Sequence, residues 1–223
     1  MMKLLSTKKE QKMANILYIT ANPYDETTSY SMAVGREFIE AYKALHPEDH
    51  IVHLDLYEAD IPYLDRDVFN GWEKLKAGTP FEQLSNIERL KTGRLAELGG
   101  QFLLADKYVF VNPMWNFSIP AVMKTYIDAV TVSGKTFKYT KEGSVGLLKG
   151  KKAFHIQSSG DIYTHGSEAK NEMSNRYLEV MMNFFEVSSF ESIIIEGQQR
   201  FPEKAEEIKA KAIIQAQEAA ANF

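Results

Sequence analysis

The sequence predicts a single α/β domain in which a parallel sheet lies between two layers of helices. Three observations lead there. Five short apolar runs rich in β-branched and aromatic residues alternate with stretches of helical periodicity. The chain, at 223 residues, is the length of one large domain. Its 44% hydrophobic and 25% charged residues are the balance of a globular protein that buries a core without staples.

The elements follow in order. Asn15-Ile-Leu-Tyr-Ile-Thr20 reads as a buried strand, stopped at Asn22-Pro23. From 31 to 45 the apolar residues Met32, Val34, Phe38, Ile39, Tyr42 and Leu45 keep helical spacing, with Ser29 or Ser31 available as the cap. Residues 51–56 form the second strand, 87–105 a helix, and 107–112 the third strand. Pro120 stands in the first turn of a helix reaching about Val132, where its missing N–H is harmless. Residues 137–139 are a small extended excursion. A fourth strand at 152–157, a helix at 169–185, a fifth strand at 190–196 and an amphipathic helix at 202–221 complete the chain. Residues 57–85 read as one long irregular loop, whose Tyr63, Phe69 and Trp72 imply that it packs on something. Strands separated by helices require right-handed parallel crossovers. Length and order then favour the flavodoxin-like three-layer arrangement, strand order 2-1-3-4-5, with helices on both faces. Residues 13–223 make that single domain. Residues 1–12, with four lysines and no apolar core of a signal peptide, read as an appended extension.

Composition excludes much. With no cysteine there is no disulfide, thiolate zinc site, iron–sulfur cluster or cysteine nucleophile. A net charge of −4 gives no footprint for nucleic acid. The mean hydropathy is −0.31, and no apolar run approaches the roughly 18 residues a membrane span needs. The chain has no Gly-x-Gly-x-x-Gly, nucleophile elbow or His-Glu-x-x-His, and its five histidines lack metal-ligand spacing. His155, alternating within a strand, reads as core or surface. Residues 129–136 nearly spell a phosphate-binding loop, but a helix precedes them where a strand should. The plainer reading is a helix C-cap at Gly134 followed by a turn. The sequon Asn116-Phe-Ser118 has nothing that would send it to the secretory pathway, so a cytoplasmic protein is expected.

In a doubly wound sheet the ligand sits outside the carboxyl ends of the strands. That singles out three loops: 21–31, 112–118 and 157–165. The first offers hydroxyls and backbone N–H groups at a helix N-terminus, which suit an anion or simply cap the helix. The second, Pro113-Met-Trp-Asn-Phe117, offers flat apolar groups and one amide, as for a planar heteroaromatic ring or an aromatic core turn. The third, Ser158-Ser-Gly-Asp161, lets a ring approach the backbone, or is an ordinary turn.

The run from Asn112 to Asp128 followed by Gly134-Lys-Thr-Phe-Lys-Tyr-Thr140 resembles the bacterial FMN-dependent NADH azoreductases, also described as FMN-dependent NADH:quinone oxidoreductases. Gly146-Leu-Leu-Lys-Gly-Lys-Lys-Ala153 and Ser29-Tyr-Ser31 fit too, and the similarity runs from about Ala14 to the C-terminus. The resemblance implies a flavodoxin-like homodimer holding FMN non-covalently, with NADH as electron donor. Quinones or aromatic azo compounds are the implied acceptors, reduced in a ping-pong sequence in which the flavin, rather than any side chain, carries the chemistry. It further implies that Ser29, Tyr30 and Ser31 bind the FMN phosphate with Asn22 nearby. Pro113, Met114, Trp115, Asn116 and Phe117 would line the isoalloxazine, and Ser158, Ser159, Gly160 and Asp161 its pyrimidine side. Trp115, Phe117 and Tyr163 would form the substrate slot, with the 57–85 loop supplied by the partner subunit. This chain has Ser159-Gly160-Asp161 where relatives commonly carry Arg-Gly-Gly. An inward carboxylate there would disfavour anionic reduced flavin. Three other functions suit the same scaffold: a flavodoxin-type electron carrier, an NAD(P)H-dependent flavin reductase, and a cofactor-free interaction module.

Overall fold

The computed structural model describes residues 13–223; the expected extension at 1–12 lies outside the described residues. Five parallel strands form the central sheet: β1 (Asn15–Thr20), β2 (His50–Asp55), β3 (Lys107–Pro113), β6 (Lys152–Ser159) and β7 (Ser189–Glu196), in the spatial order β2-β1-β3-β6-β7. A separate antiparallel hairpin pairs β4 (Phe137–Thr140) with β5 (Gly143–Gly146). With the hairpin set aside, the order is the 2-1-3-4-5 expected from the sequence.

The central strands β1 and β3 are buried on both faces, which is why they read as continuous apolar runs. Alternation still sorts their side chains. Leu17, Ile19, Tyr108 and Phe110 face a core closed by α2 (Arg66–Lys76), α3 (Asn86–Leu104), α4 (Ala121–Val130) and α5 (Ser174–Phe184). Ile16, Tyr18, Val109 and Val111 face the opposite core, closed by α1 (Tyr30–Leu45) and α6 (Ala205–Asn222). Gly35 lets α1 come down on the sheet: a Cβ there would lie 2.8 Å from Val111 and 2.9 Å from the Tyr18 hydroxyl.

Four expectations need correction. The 57–85 stretch is not one loop, because it contains α2. Asp65 caps that helix by accepting from the Val68 N–H at 3.1 Å, and Gly71 presses it against Thr92 of α3. Trp72 packs on the core as expected, whereas Tyr63 and Phe69 are exposed. The 169–185 helix begins only at Ser174, after a 3-10 turn over Ser167–Asn171. Pro120 is the N-cap of α4 rather than part of its first turn. The same helix stops at Val130 with Thr131 as C-cap, so Gly134 (φ 82°) serves the turn beyond it. There the Thr136 hydroxyl takes the Val132 N–H at 2.9 Å and the strand into the hairpin begins.

Candidate functional site

The chain leaves β1 for a helix on one face of the sheet and leaves β3 for a helix on the other. Their carboxyl-end loops therefore diverge, and a cleft opens at this switch point. It is a cavity of about 870 Å³, within the usual range for a small-molecule site.

The β1 loop supplies one end. Ser29, in extended backbone, caps α1 by accepting the Met32 N–H at 3.3 Å. Its hydroxyl also accepts from the Asn22 amide at 2.7 Å and lies 3.2 Å from the Ser31 hydroxyl. The amides of Tyr30 and Ser31 open the helix with no acceptor among the described residues, as first-turn N–H groups do. Asp25 stiffens the approach: the Thr27 hydroxyl and amide hydrogen-bond its carboxylate and hold it below the usual carboxylate range.

The β3 loop supplies the next wall. Trp115 and Ser118 pair through Trp115 N–H to Ser118 O at 2.9 Å and the reverse bond at 3.1 Å. The two residues between them turn through left-handed backbone, with φ of 49° at Asn116 and 70° at Phe117. That geometry suits Asn and strains Phe. The turn is pinned by Met173 N–H to Phe117 O at 2.9 Å, and Met114 N–H reaches Ser158 O at 2.7 Å, tying the ends of β3 and β6 together. Below the turn, His155 is buried on β6 between Asn112 and Asn175, at 3.0 and 2.8 Å. Burial pushes its pKa down to about 4, so the ring is neutral and has one N–H. Asn112 spends its amide nitrogen on Pro113 O at 3.0 Å and on the Ser174 hydroxyl at 3.3 Å, so it offers His155 an oxygen. Both ring nitrogens face amide oxygens, Asn175 Oδ1 and Asn112 Oδ1, and the one N–H of the neutral ring donates to one of them.

The β6 loop forms the opposite wall. Gly160 is covered by Gln199, whose side-chain oxygen would lie 2.4 Å from a Cβ placed there. The Asp161 carboxylate accepts from the Ile162 N–H at 2.8 Å and pairs with Arg200 at 3.0 Å; the two contacts lower its pKa, the amide more than the guanidinium. The free inward carboxylate considered from the sequence is thus half of an ion pair at the rim. Glu196, at the end of β7, accepts from the Tyr163 and Thr164 amides at 2.8 and 3.1 Å and holds the loop's far end. Phe117 and Tyr163 meet edge to face across the mouth, with ring centroids 5.9 Å apart.

Of the residues singled out in the sequence, Asn22, Ser29, Tyr30, Pro113, Met114, Trp115, Asn116, Phe117, Ser158, Ser159, Gly160, Asp161 and Tyr163 all line this one cavity. Ser31 does not; it is fully buried beneath Ser29. Tyr24, Thr28, Gln198, Gln199 and Arg200 line it without having been anticipated. The last three follow β7, whose carboxyl end the switch-point rule would have included had it been applied to the fifth strand.

Residues 14–220 match the family described as having a flavodoxin-like fold. The FMN-dependent NADH:quinone oxidoreductase 2 of Bacillus subtilis is 57% identical over 211 residues, 95% of this chain and all of that protein. The chain belongs to the FMN-dependent NADH:quinone oxidoreductase family. Solved structures agree. An azoreductase from Bacillus anthracis superposes with a TM-score of 0.88 at 39% identity, covering 95% of this chain and all of its own. An FMN-dependent NADH-azoreductase of the same species, in complex with FMN, gives 0.88 at 36% identity, covering 94% and 99%.

For a member of the FMN-dependent NADH:quinone oxidoreductase family the cavity can be tested against FMN, and its donor set fits. Helix amides and hydroxyls at the α1 end suit a phosphate. The flat side chains of Trp115 and Phe117 suit a planar ring. The side-chain oxygen of Gln198 is buried with no hydrogen-bond donor among the described residues, an acceptor in want of a donor such as a ring N–H or a ribityl hydroxyl.

Proposed function

We propose that this protein is an FMN-dependent NADH:quinone oxidoreductase that also cleaves aromatic azo compounds. The observation that carries the reading is the cavity itself. One continuous cleft at the switch point joins a helix N-terminus rich in free amides and hydroxyls to a slot walled by Trp115, Phe117 and Tyr163. When bound, FMN would supply the two-electron redox chemistry between NADH and a quinone, two such rounds being needed to cleave an azo bond.

The protein's own residues bind and orient. Ser29 and the amide of Tyr30 hold the phosphate, with Asn22 fixing the Ser29 hydroxyl and Ser31 supporting it from beneath. The turn at 113–117 presents backbone groups to the ring edge, and its strained conformation is held by Met173 and by the His155–Asn112 pair below. Gly160 leaves room for Gln199 to close over the β6 loop, and Ser158, Ser159, Gly160 and Asp161 form the edge against which the ring lies. Phe117 and Tyr163 cover the exposed face and exclude water from the reacting atoms.

The working form is a cytoplasmic homodimer. Supporting it, Trp115 and Phe117 of the cavity wall, Met173 at the start of α5 and Val180 within it leave large apolar side chains exposed. None of the described helices is long and apolar enough to cross a membrane.

The test is an anaerobic titration of FMN-reconstituted protein with NADH, then with menadione, watching the oxidised-flavin absorbance. Bleaching by NADH and recovery with the quinone is the expected result. Flavin that binds but is not bleached would favour an electron carrier. Reduced flavin released into solution would favour a flavin reductase, and failure to bind flavin would overturn the reading.

A further inference from the structure

We propose that Arg200 is a specificity-determining residue that receives the anionic substituent, a carboxylate or sulfonate, of an aromatic acceptor. The inference rests on the oxidoreductase reading above and names the substrate class of the same cavity.

Among the described residues lining the cavity only two carry formal charge, Asp161 and Arg200, and they are paired with each other. Arg200 is not placed for the cofactor's phosphate. Its loop follows β7, and the phosphate-type end follows β1, with β3 and β6 between them. Three strand spacings separate the two, roughly 14 Å at about 4.8 Å each. What Arg200 does share is the mouth of the cavity with Phe117 and Tyr163.

The residue is anchored at its base and loose at its tip. Its amide donates to Gly160 O at 3.1 Å, and its guanidinium lies 5.6 Å from the Phe201 ring centroid. The tip meets Asp161 through one nitrogen, and about half of each side chain is exposed, at 54% and 48%. A guanidinium has five N–H donors in a planar fork, and Asp161 engages one of them. An exposed monodentate pair is weak, so a second carboxylate or a sulfonate can take the open side of the fork at little loss. An aromatic acceptor lying in the cavity beneath Phe117 and Tyr163 would bring such a group to the rim where Arg200 stands. Neutral quinones would find a neutral pair there and ignore it.

The probes are 2-(4-dimethylaminophenylazo)benzoate, its uncharged parent 4-dimethylaminoazobenzene, and menadione, each used with the FMN-loaded protein. Binding of both dyes to the oxidised protein is measured by equilibrium titration, and steady-state KM and kcat are measured alongside. Arg200→Gln is expected to weaken the carboxylate dye about tenfold, the worth of one charge-assisted hydrogen bond. The uncharged dye and menadione should stay within about twofold by the same scale. Arg200→Lys should retain most of the discrimination, and Asp161→Asn, which removes the competing carboxylate, should tighten the carboxylate dye. Equal effects of Arg200→Gln on both dyes, or none on either, would overturn the proposal. So would an effect confined to the KM of NADH, which would assign Arg200 to the donor's phosphates instead. Wild-type reduction of menadione in the same series separates failure of this proposal from failure of the oxidoreductase reading.

Discussion

Acid should loosen this protein through one imidazole. His155 is fully buried on β6, and its folded pKa is about 4 against 6.5 for an ordinary histidine. Between those values the unfolded chain holds a proton that the folded chain refuses. The unfolded state therefore binds more protons, and stability falls as pH drops through the window. That gap corresponds to a few kcal/mol at roughly 1.4 kcal/mol per pH unit, most of it lost between about pH 7 and about pH 4.5. The perturbation is acidification of the native chain and of His155→Gln, which keeps a side-chain donor for Asn112 without a titrating group. Urea unfolding of both proteins across that range gives two curves, and carboxylates and other histidines common to both cancel in their difference. The native chain should lose about 2 kcal/mol or more relative to the variant on acidification. Parallel curves would refute the reasoning, because they would mean that His155 is not neutral and buried when folded. Since Asn112 leads straight into the turn at 113–117, retention of FMN should decline over the same interval before the fold itself is lost.

Other outcomes are expected from single substitutions. Ser29→Ala removes the cap of α1 and the acceptor of the Asn22 amide; unfolding free energy should fall by about 1 kcal/mol, and the FMN dissociation constant measured by fluorescence should rise about tenfold. Gly146→Ala would put a Cβ 2.2–2.5 Å from backbone atoms of Phe185 and Glu186. Backbone there cannot move aside, so a loss of about 3 kcal/mol in urea unfolding is expected, with FMN affinity of the remaining folded protein unchanged. Phe117→Ala and Phe117→Gly both delete the ring, but only glycine is at ease at a φ of 70°. The glycine variant should be the more stable of the two by about 1 kcal/mol, while both raise the KM for menadione.

The central strands were legible because burial on both faces leaves an unbroken apolar run, as in Tyr108-Val-Phe-Val111. The three loops were legible because a parallel sheet presents all its carboxyl ends to one edge, so motifs far apart in the chain had to meet. What was missed has equally definite reasons. Helix α2 holds only Val68 and Gly71 fully buried, so its apolar pattern is thin, and its glycine looks like a break until Thr92 of α3 is seen against it. Gly197-Gln-Gln-Arg200 carries no motif; its residues matter only through where β7 ends. Asp161 read as a lone carboxylate because its partner stands 39 positions away, a separation that no local pattern spans.

The cleft arises because successive helices leave β1 and β3 toward opposite faces of the sheet, not because any side chain is missing from a core. An opening created by connectivity places little demand on packing. Its lining can change through drift without weakening the two apolar layers, and those layers can repack without closing it. A lineage built this way can explore new electron acceptors by altering a few rim residues, while the scaffold that keeps it folded evolves at its own pace.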